Sequence, residues 1–204
     1  MHNKLLLATN NLGKLKEYRS LLSGLSLQLI SPREIGVTTK INEIGRSFEE
    51  NAKLKAVTLS VQSNLLTLAD DSGLEVDALG GEPGIYSARY AGEGASDKDR
   101  NDLILAKLRH IPWEKRTAKF RCVVAIAKSA SNVDLFSGVC NGLITYEPKG
   151  NYGFGYDPIF YIPELGKTMA ELQLNEKNKV SHRGKAVKLA YKSLCQQPCT
   201  NRES

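Results

Sequence analysis

Apolar and polar positions along this chain repeat with two periods, and the switches between them predict its elements. Leu5–Ala8 is a short apolar run that ends in the polar turn Thr9-Asn10-Asn11-Leu12-Gly13. Leu15, Tyr18, Leu21 and Leu22 follow at helical spacing, so the segment reads strand, turn, helix. Leu27–Ile30 predicts a second strand. Ser47-Phe48-Glu49-Glu50 has the form of a capping box, with Ser47 accepting from the amide three residues on and Glu50 reaching back. The helix it opens is expected to run to about Val61. Leu65–Ala69 predicts a buried strand that ends at Asp70-Asp71-Ser72-Gly73. Gly73–Gly94, with Gly80, Gly81, Gly84 and Gly92, predicts a long shaped loop.

Ser96-Asp97-Lys98-Asp99 is a second capping box, opening a helix through Leu103, Ile104, Ala106 and Leu108 that Pro112 ends. Phe120–Ala127 predicts an apolar strand. Leu135–Tyr146 predicts a strand pair or one long bent strand, interrupted at Gly138 and Gly142. Gly150–Gly166 predicts a second long loop, Gly184–Leu194 the last helix, and the polar tail beyond Pro198 is expected to fray. Strands and helices are interspersed, which places the fold in the α/β or α+β class. Loops this long in a compact domain are usually functional.

Length and composition narrow the picture. The 204 residues suit one domain with a sizeable core. The formal net charge of +6 suits an anionic ligand, but lysines and arginines are scattered, so no nucleic-acid partner is expected. None of the four cysteines forms a Cys-x-x-Cys pair; Cys195 and Cys199 stand alone near the end, which argues against a zinc site. Cys122 and Cys140 lie in apolar runs and read as buried thiols, as expected in a reducing compartment. No apolar run approaches the roughly 18 residues that span a bilayer, and Leu5–Ala8 is too short for a signal peptide. A cytoplasmic protein without a membrane partner is expected.

Five constellations carry candidate chemistry. Thr9, Asn10, Asn11, Leu12, Gly13 and Lys14 form a strand-to-helix turn where backbone amides, the helix dipole and one ammonium can meet a phosphate chain. The spacing of a Walker A loop is absent, and an ordinary Asn-capped turn would look the same. Asp70 and Asp71 are adjacent carboxylates, which repel unless something holds them; a divalent cation is the usual reason. Neighbouring side chains on a strand point to opposite faces, so one Asp is expected to hold metal or activate water while the other braces the site. A solvated Asp-Ser-Gly turn is the alternative. Asn51 and Lys55 share a helix face, and Glu43 stands ahead of that helix as a further candidate metal ligand.

Gly153-Phe154-Gly155-Tyr156-Asp157 offers an aromatic that can stack on a base and an acid that can accept a base N–H, or else two core aromatics in a turn. Lys177, His182 and Arg183 are basic or donor groups leading into the last helix, suited to phosphate or a keto oxygen, or simply a charged helix entry. No serine or cysteine nucleophile has a recognisable local signature, so water is the expected attacker.

Taken together, LLLATNNLGKLKE, SFEENAKLKA, LADDSGLEVDALGGEPGIYSARYAG, KFRCVVAIA, GFGYDPIFYIPELGKTMAEL and EKNKVSHRGKA occur in one order across residues 5 to about 190. In these stretches the chain resembles the inosine triphosphate pyrophosphatase family, the bacterial-type dITP/XTP pyrophosphatases. The resemblance implies a mixed α/β fold with an elongated central mixed sheet, flanking helices and two lobes around a cleft. It implies one domain over residues 1–197 with a polar tail at 198–204, a homodimer, and Mg²⁺. It implies hydrolysis of ITP, dITP and XTP to monophosphate and pyrophosphate, which cleanses the nucleotide pool. Carried over by motif, Thr9–Lys14 bind phosphates, and Asp71 binds metal and accepts a proton, with Glu43 sharing the metal. Ser72, Phe154–Asp157, Lys177, His182 and Arg183 surround the nucleotide, while Lys14 and Lys55 steady the departing pyrophosphate. Asp70 is an alternative to Asp71 in positioning the water. A Maf-like pyrophosphatase for pyrimidine or modified nucleotides is the second enzyme reading, and a non-catalytic nucleotide-binding module the third.

Overall fold

The computed structural model describes residues 4–37, 39 and 41–195. The tail expected beyond Pro198, and Cys199 with it, lies outside the described residues. Seven strands form a single sheet in the order β2-β1-β3-β4-β5-β6-β7. They are β1 (Lys4–Leu7), β2 (Gln28–Ile30), β3 (Leu66–Val76), β4 (Thr117–Ala127), β5 (Val133–Ile144), β6 (Phe160–Ile162) and β7 (Lys167–Thr168). β1 runs parallel to β2 and β3, and every later neighbour pair is antiparallel, so the sheet is mixed as expected. The helices are α1 (Leu12–Leu21), α2 (Phe48–Ser63), α3 (Asp97–Lys107), α4 (Leu174–Val180) and α5 (His182–Cys195).

The alternation of side chains along β1 and β3 divides the core. Leu5, Leu7 and Leu68 face Tyr18 of α1 and Ala186 and Val187 of α5. Leu6, Ala8 and Ala69 face Phe48, Ala52 and Ala56 of α2. A third cluster gathers Leu74, Val76, Phe120, Ile144 and Phe160 around Ile104 of α3 and Leu108, which caps it.

Several boundaries differ from the sequence reading, each for a tertiary reason. β3 does not stop at the aspartate doublet. It continues through Asp70-Asp71-Ser72-Gly73 to Val76, because β4 pairs with it along that whole length, Asp70 opposite Val124 and Asp71 opposite Val123. The doublet is therefore mid-strand, and the expected loop from Gly73 starts as strand and goes on through 3-10 turns at Asp77–Leu79 and Gly84–Arg89. Leu135–Tyr146 lies within and just past one continuous strand. Gly138 and Gly142 do not break it; they are where the backbone of α5 and the Tyr161 carbonyl come too close for a Cβ. The Gly150–Gly166 segment holds β6 between two 3-10 turns. α4 was not foreseen, since its seven residues carry too few apolar positions for a helical stripe. α5 begins at His182, two residues before Gly184. The Ser47 box is half formed: Ser47 Oγ accepts from the Glu50 amide at 3.1 Å, but Glu50 turns to the Arg46 amide at 2.8 Å. The Ser96 box closes in both directions.

Candidate active site

The doublet sits on a central strand, so its two side chains enter opposite faces, as expected from strand geometry. Asp70 turns toward α1 and α5. Its Oδ2 lies 2.9 Å from Lys14 Nζ and 3.2 Å from Arg183 Nη2, and it is buried. Burial alone would raise its pKa, but Lys14 and Arg183 outweigh that and hold the carboxyl far below the usual range. Asp71 turns toward α2, where Asn51 Nδ2 donates to it at 3.0 Å and Lys55 Nζ stands 3.5 Å away. Burial pushes the Asp71 carboxyl above its ordinary value, and Lys55 only partly opposes this while Glu43 adds to it. One sequence pair thus yields two carboxyls whose pKa values are shifted in opposite directions.

α1 follows β1 after a turn of four residues, 8–11. Asn11 caps it by accepting from the Lys14 amide at 3.0 Å, and Thr9 Oγ1 accepts from the Asn11 amide at 3.2 Å. The first turn holds no acidic residue, which leaves the positive end of the helix dipole for an anion. Of the predicted phosphate turn, Asn11 and Lys14 line the cleft. Thr9 supports the turn, Asn10 and Leu12 are exposed, and Gly13 lies beneath the Phe154 ring so closely that a Cβ there would collide with it.

At the other end of the cleft the Phe154 ring has Lys177 Nζ 4.8 Å and Arg183 Cζ 5.7 Å from its centroid. Asp157 is buried; it accepts from the Phe154 amide at 2.8 Å and pairs with Lys177. Tyr156 is core-like, its hydroxyl donating to the Ser87 carbonyl at 2.8 Å. His182 stacks on Phe120 at 4.6 Å, and its Nδ1 is buried with no hydrogen-bond partner among the described residues. Burial, then the Arg183 and Lys177 cations, hold its pKa well below 6.5, so the ring is neutral. Arg183 Nη2 also donates to Ser72 Oγ at 2.9 Å.

The cleft gathers Asn11, Lys14, Glu43, Asp71, Ser72, Phe154–Asp157, Lys177, His182 and Arg183. Asp70 does not line the cleft; it lies behind it. Lys55 does not line it either, but its ammonium sits between Glu43 Oε1 at 2.5 Å and Asp71 Oδ1 at 3.5 Å. Two carboxylates therefore already converge on one positive point. Two hard oxygen donors are what Mg²⁺ takes from a protein when phosphates complete its shell, so Glu43 and Asp71 fit that ion. Among the described residues no third acid, His or Cys joins them.

The sequence reading missed Glu17, Ser87, Asp97 and Arg100. Glu17 is the most telling: it is buried, accepting from Lys177 at 2.7 Å and from Arg183 at 2.5 Å. Burial opposes its charge, but Arg183 and Lys177 overcome this and lower its pKa. Its signal was available, since Glu17 precedes core Tyr18 and lies three residues after Lys14, on the buried side of α1. Ser87 offered none: its Oγ accepts from the Leu74 amide at 2.9 Å only because the 3-10 turn folds back on β3.

A mixed α/β sheet with a helix start, paired acids and an aromatic shelf around one cleft defines a protein that handles a phosphate-bearing organic ligand. The particular lineage follows from comparison with known proteins. The Ham1 family profile matches residues 5–193, and the chain belongs to that family. It is 49% identical over 191 residues to a dITP/XTP pyrophosphatase of Desulforamulus reducens, covering 94% of this chain and 95% of that one. It is 47% identical to a dITP/XTP pyrophosphatase of Bacillus subtilis, covering 93% and 96%. The solved HAM1 protein of Coxiella burnetii superposes with a TM-score of 0.87 at 41% identity, covering 95% of this chain and 99% of that one.

Proposed function

We propose that this protein hydrolyses non-standard purine nucleoside triphosphates, dITP, ITP and XTP, to the monophosphate and pyrophosphate. The observation that carries the reading is the meeting of Lys14, Asp71, Phe154 and His182 in one cleft. Phosphate, reacting centre and base each find a partner there. The Ham1 membership and the printed activity of relatives near half identical over nearly the whole chain support it.

The triphosphate lies along the start of α1, oriented by Asn11 and Lys14. Water attacks the α-phosphorus, the bond to the α–β bridging oxygen breaks, and pyrophosphate leaves. Asp71, with its raised pKa, takes the proton of the attacking water on a carboxylate oxygen. Asn51 and Lys55 fix that carboxylate. Lys14 and Lys55 offset the charge that builds on pyrophosphate. Asp70 braces rather than reacts, tying Lys14 and Arg183 to β3. Mg²⁺, held by Glu43 and Asp71, would polarise the phosphates and neutralise the acid–polyanion repulsion.

The base packs against Phe154. Its 6-keto oxygen and N1–H meet the donors and acceptors of His182, Arg183, Lys177 and Asp157. Adenine reverses that edge, and leaving buried polar groups unpaired can reject it by up to about 10⁴-fold. Residues 1–197 act as one catalytic domain, a reading supported by the single hydrogen-bonded sheet. The three described cysteines are free thiols, which supports a reducing compartment. The homodimer implied by the family likeness is tested by sedimentation.

The test mixes protein, Mg²⁺ and a panel of triphosphates. Pyrophosphate and dIMP from dITP, abolished by EDTA, is the expected result. Release of orthophosphate, a preference for pyrimidine or modified nucleotides, or turnover that survives EDTA would overturn the reading.

A further inference from the structure

The segment that carries Phe154 has an unusual mechanical problem. Gly153 and Gly155 flank the ring with φ of +76° and +65°, and glycine backbone is free to leave such conformations. An aromatic shelf is useful only if it stays in place. The Phe154 amide is tied to buried Asp157, which Lys177 of α4 holds in turn, so this bond fixes the residue N-terminal to Gly155 but leaves the polar groups of Gly155 itself to be held. A second anchor, at Gly155, comes from α3. Asp97 Oδ2 accepts from the Gly155 amide at 2.6 Å, and Asn101 Nδ2 donates to the Gly155 carbonyl at 3.1 Å. Both polar groups of Gly155 are thereby held by one helix, from residues one turn apart.

That helix is rigidly rooted. Ile104 and Leu108 are fully buried in the third core cluster, and the Ser96 box closes its N-terminus. Asp97 is itself aligned by Arg100, which pairs with Oδ1 and also donates to the Ala95 carbonyl at 2.5 Å. Asn101 is buried. The other side of the ring rests on Gly13 of α1. The Phe154 shelf is thus clamped between the phosphate-binding turn and α3.

We propose that Asp97 and Asn101 are positioning residues that hold Phe154 where the purine must stack, and so set affinity for the base. This rests on the reading of Phe154 as the base platform. Loosening the clamp charges the cost of ordering the loop to substrate binding. KM for dITP should rise about tenfold in Asp97→Ala and in Asn101→Ala, with kcat within about twofold, the scale of one lost ordering interaction. Asp97→Asn keeps an acceptor of the same size for the Gly155 amide and should stay within about threefold of wild type. Asn101→Asp sets an acceptor against the Gly155 carbonyl and should be worse than alanine.

Kinetics alone could follow from general loosening, so the ring is also watched directly. The full chain is labelled with monofluorinated phenylalanine, and the Phe154 resonance is identified by its loss in Phe154→Leu. In both alanine variants that ¹⁹F signal should shift or broaden while those of the other four of the chain's five phenylalanines hold. An unmoved Phe154 signal, or a fall in kcat with KM unchanged, would overturn the proposal. If Phe154→Leu leaves KM for dITP unchanged, the platform reading fails instead, and the ¹⁹F spectra still decide whether α3 holds the ring.

Discussion

Replacing each aspartate of the doublet by asparagine should separate the fold from the chemistry. Asp70→Asn keeps the shape but removes a buried charge that faces Lys14 at 2.9 Å and Arg183 at 3.2 Å. Stripping one partner from a buried pair costs about 3–5 kcal/mol. Arg183 keeps Glu17, and Lys14 is partly exposed and can recover water, so the lower end, about 3 kcal/mol, is expected. For a chain of this size that lowers Tm by roughly 6–12 °C. The sign with pH follows from linkage. Asp70 has its folded pKa depressed below the ordinary 3.8, so its stabilisation is complete above that value and is lost as pH falls below it. The gap in Tm between wild type and Asp70→Asn should therefore close in acid.

Asp71→Asn has the opposite balance. Burial has raised the Asp71 pKa, so the folded state disfavours its ionised form, and a neutral amide relieves that penalty. Tm should equal or exceed that of wild type, while turnover falls by about 10²–10⁴, the worth of a general base. Thermal melts and pyrophosphate release at saturating dITP and Mg²⁺ measure both. A Tm loss in Asp71→Asn as large as that in Asp70→Asn, or unchanged turnover in Asp71→Asn, would refute this division of labour.

Other outcomes follow from single side chains. Arg116 is buried, has no carboxylate partner among the described residues, and donates to the carbonyls of Leu108, Ile144 and Thr145 at 2.6 to 2.7 Å. Arg116→Met should cost about 2–4 kcal/mol in urea unfolding, from orphaned carbonyls, with KM unchanged. His182 has a folded pKa far below 6.5, so the unfolded chain binds the extra proton. Stability should fall with decreasing pH below 6.5, at up to about 1.4 kcal/mol per pH unit, and His182→Gln should flatten that slope in urea titrations. Gly13→Ala should raise KM for dITP several-fold, because its methyl would collide with the Phe154 ring and must displace it, a clash that offsets any gain in helix propensity. An unchanged KM would refute that reasoning.

Much of the local structure was written in the chain. The turn after β1, the capped starts of α2 and α3, and the apolar runs of β1, β3 and β4 are decided by neighbours within a few residues, through hydrogen bonds and period. The candidate site residues were legible because phosphate, metal and base each demand a few residue types in particular arrangements. Even the split of Asp70 from Asp71 follows from strand alternation alone.

What local pattern could not decide was which acid faced which charge. Lys14 and Arg183 flank Asp70 from α1 and α5, whereas Asn51, Lys55 and Glu43 surround Asp71 from α2 and the segment before it. Those neighbours arrive from distant parts of the chain, and only they lower the pKa of one carboxyl and raise that of the other. The same holds for β3, whose course through four polar or small residues depends on hydrogen bonds from β4. It holds too for Gly155, whose anchor on α3 lies more than fifty residues earlier in sequence. Propensity and period are short-range quantities, while pKa, strand length through polar residues and the pose of a glycine-flanked ring are set by groups that only tertiary packing brings together.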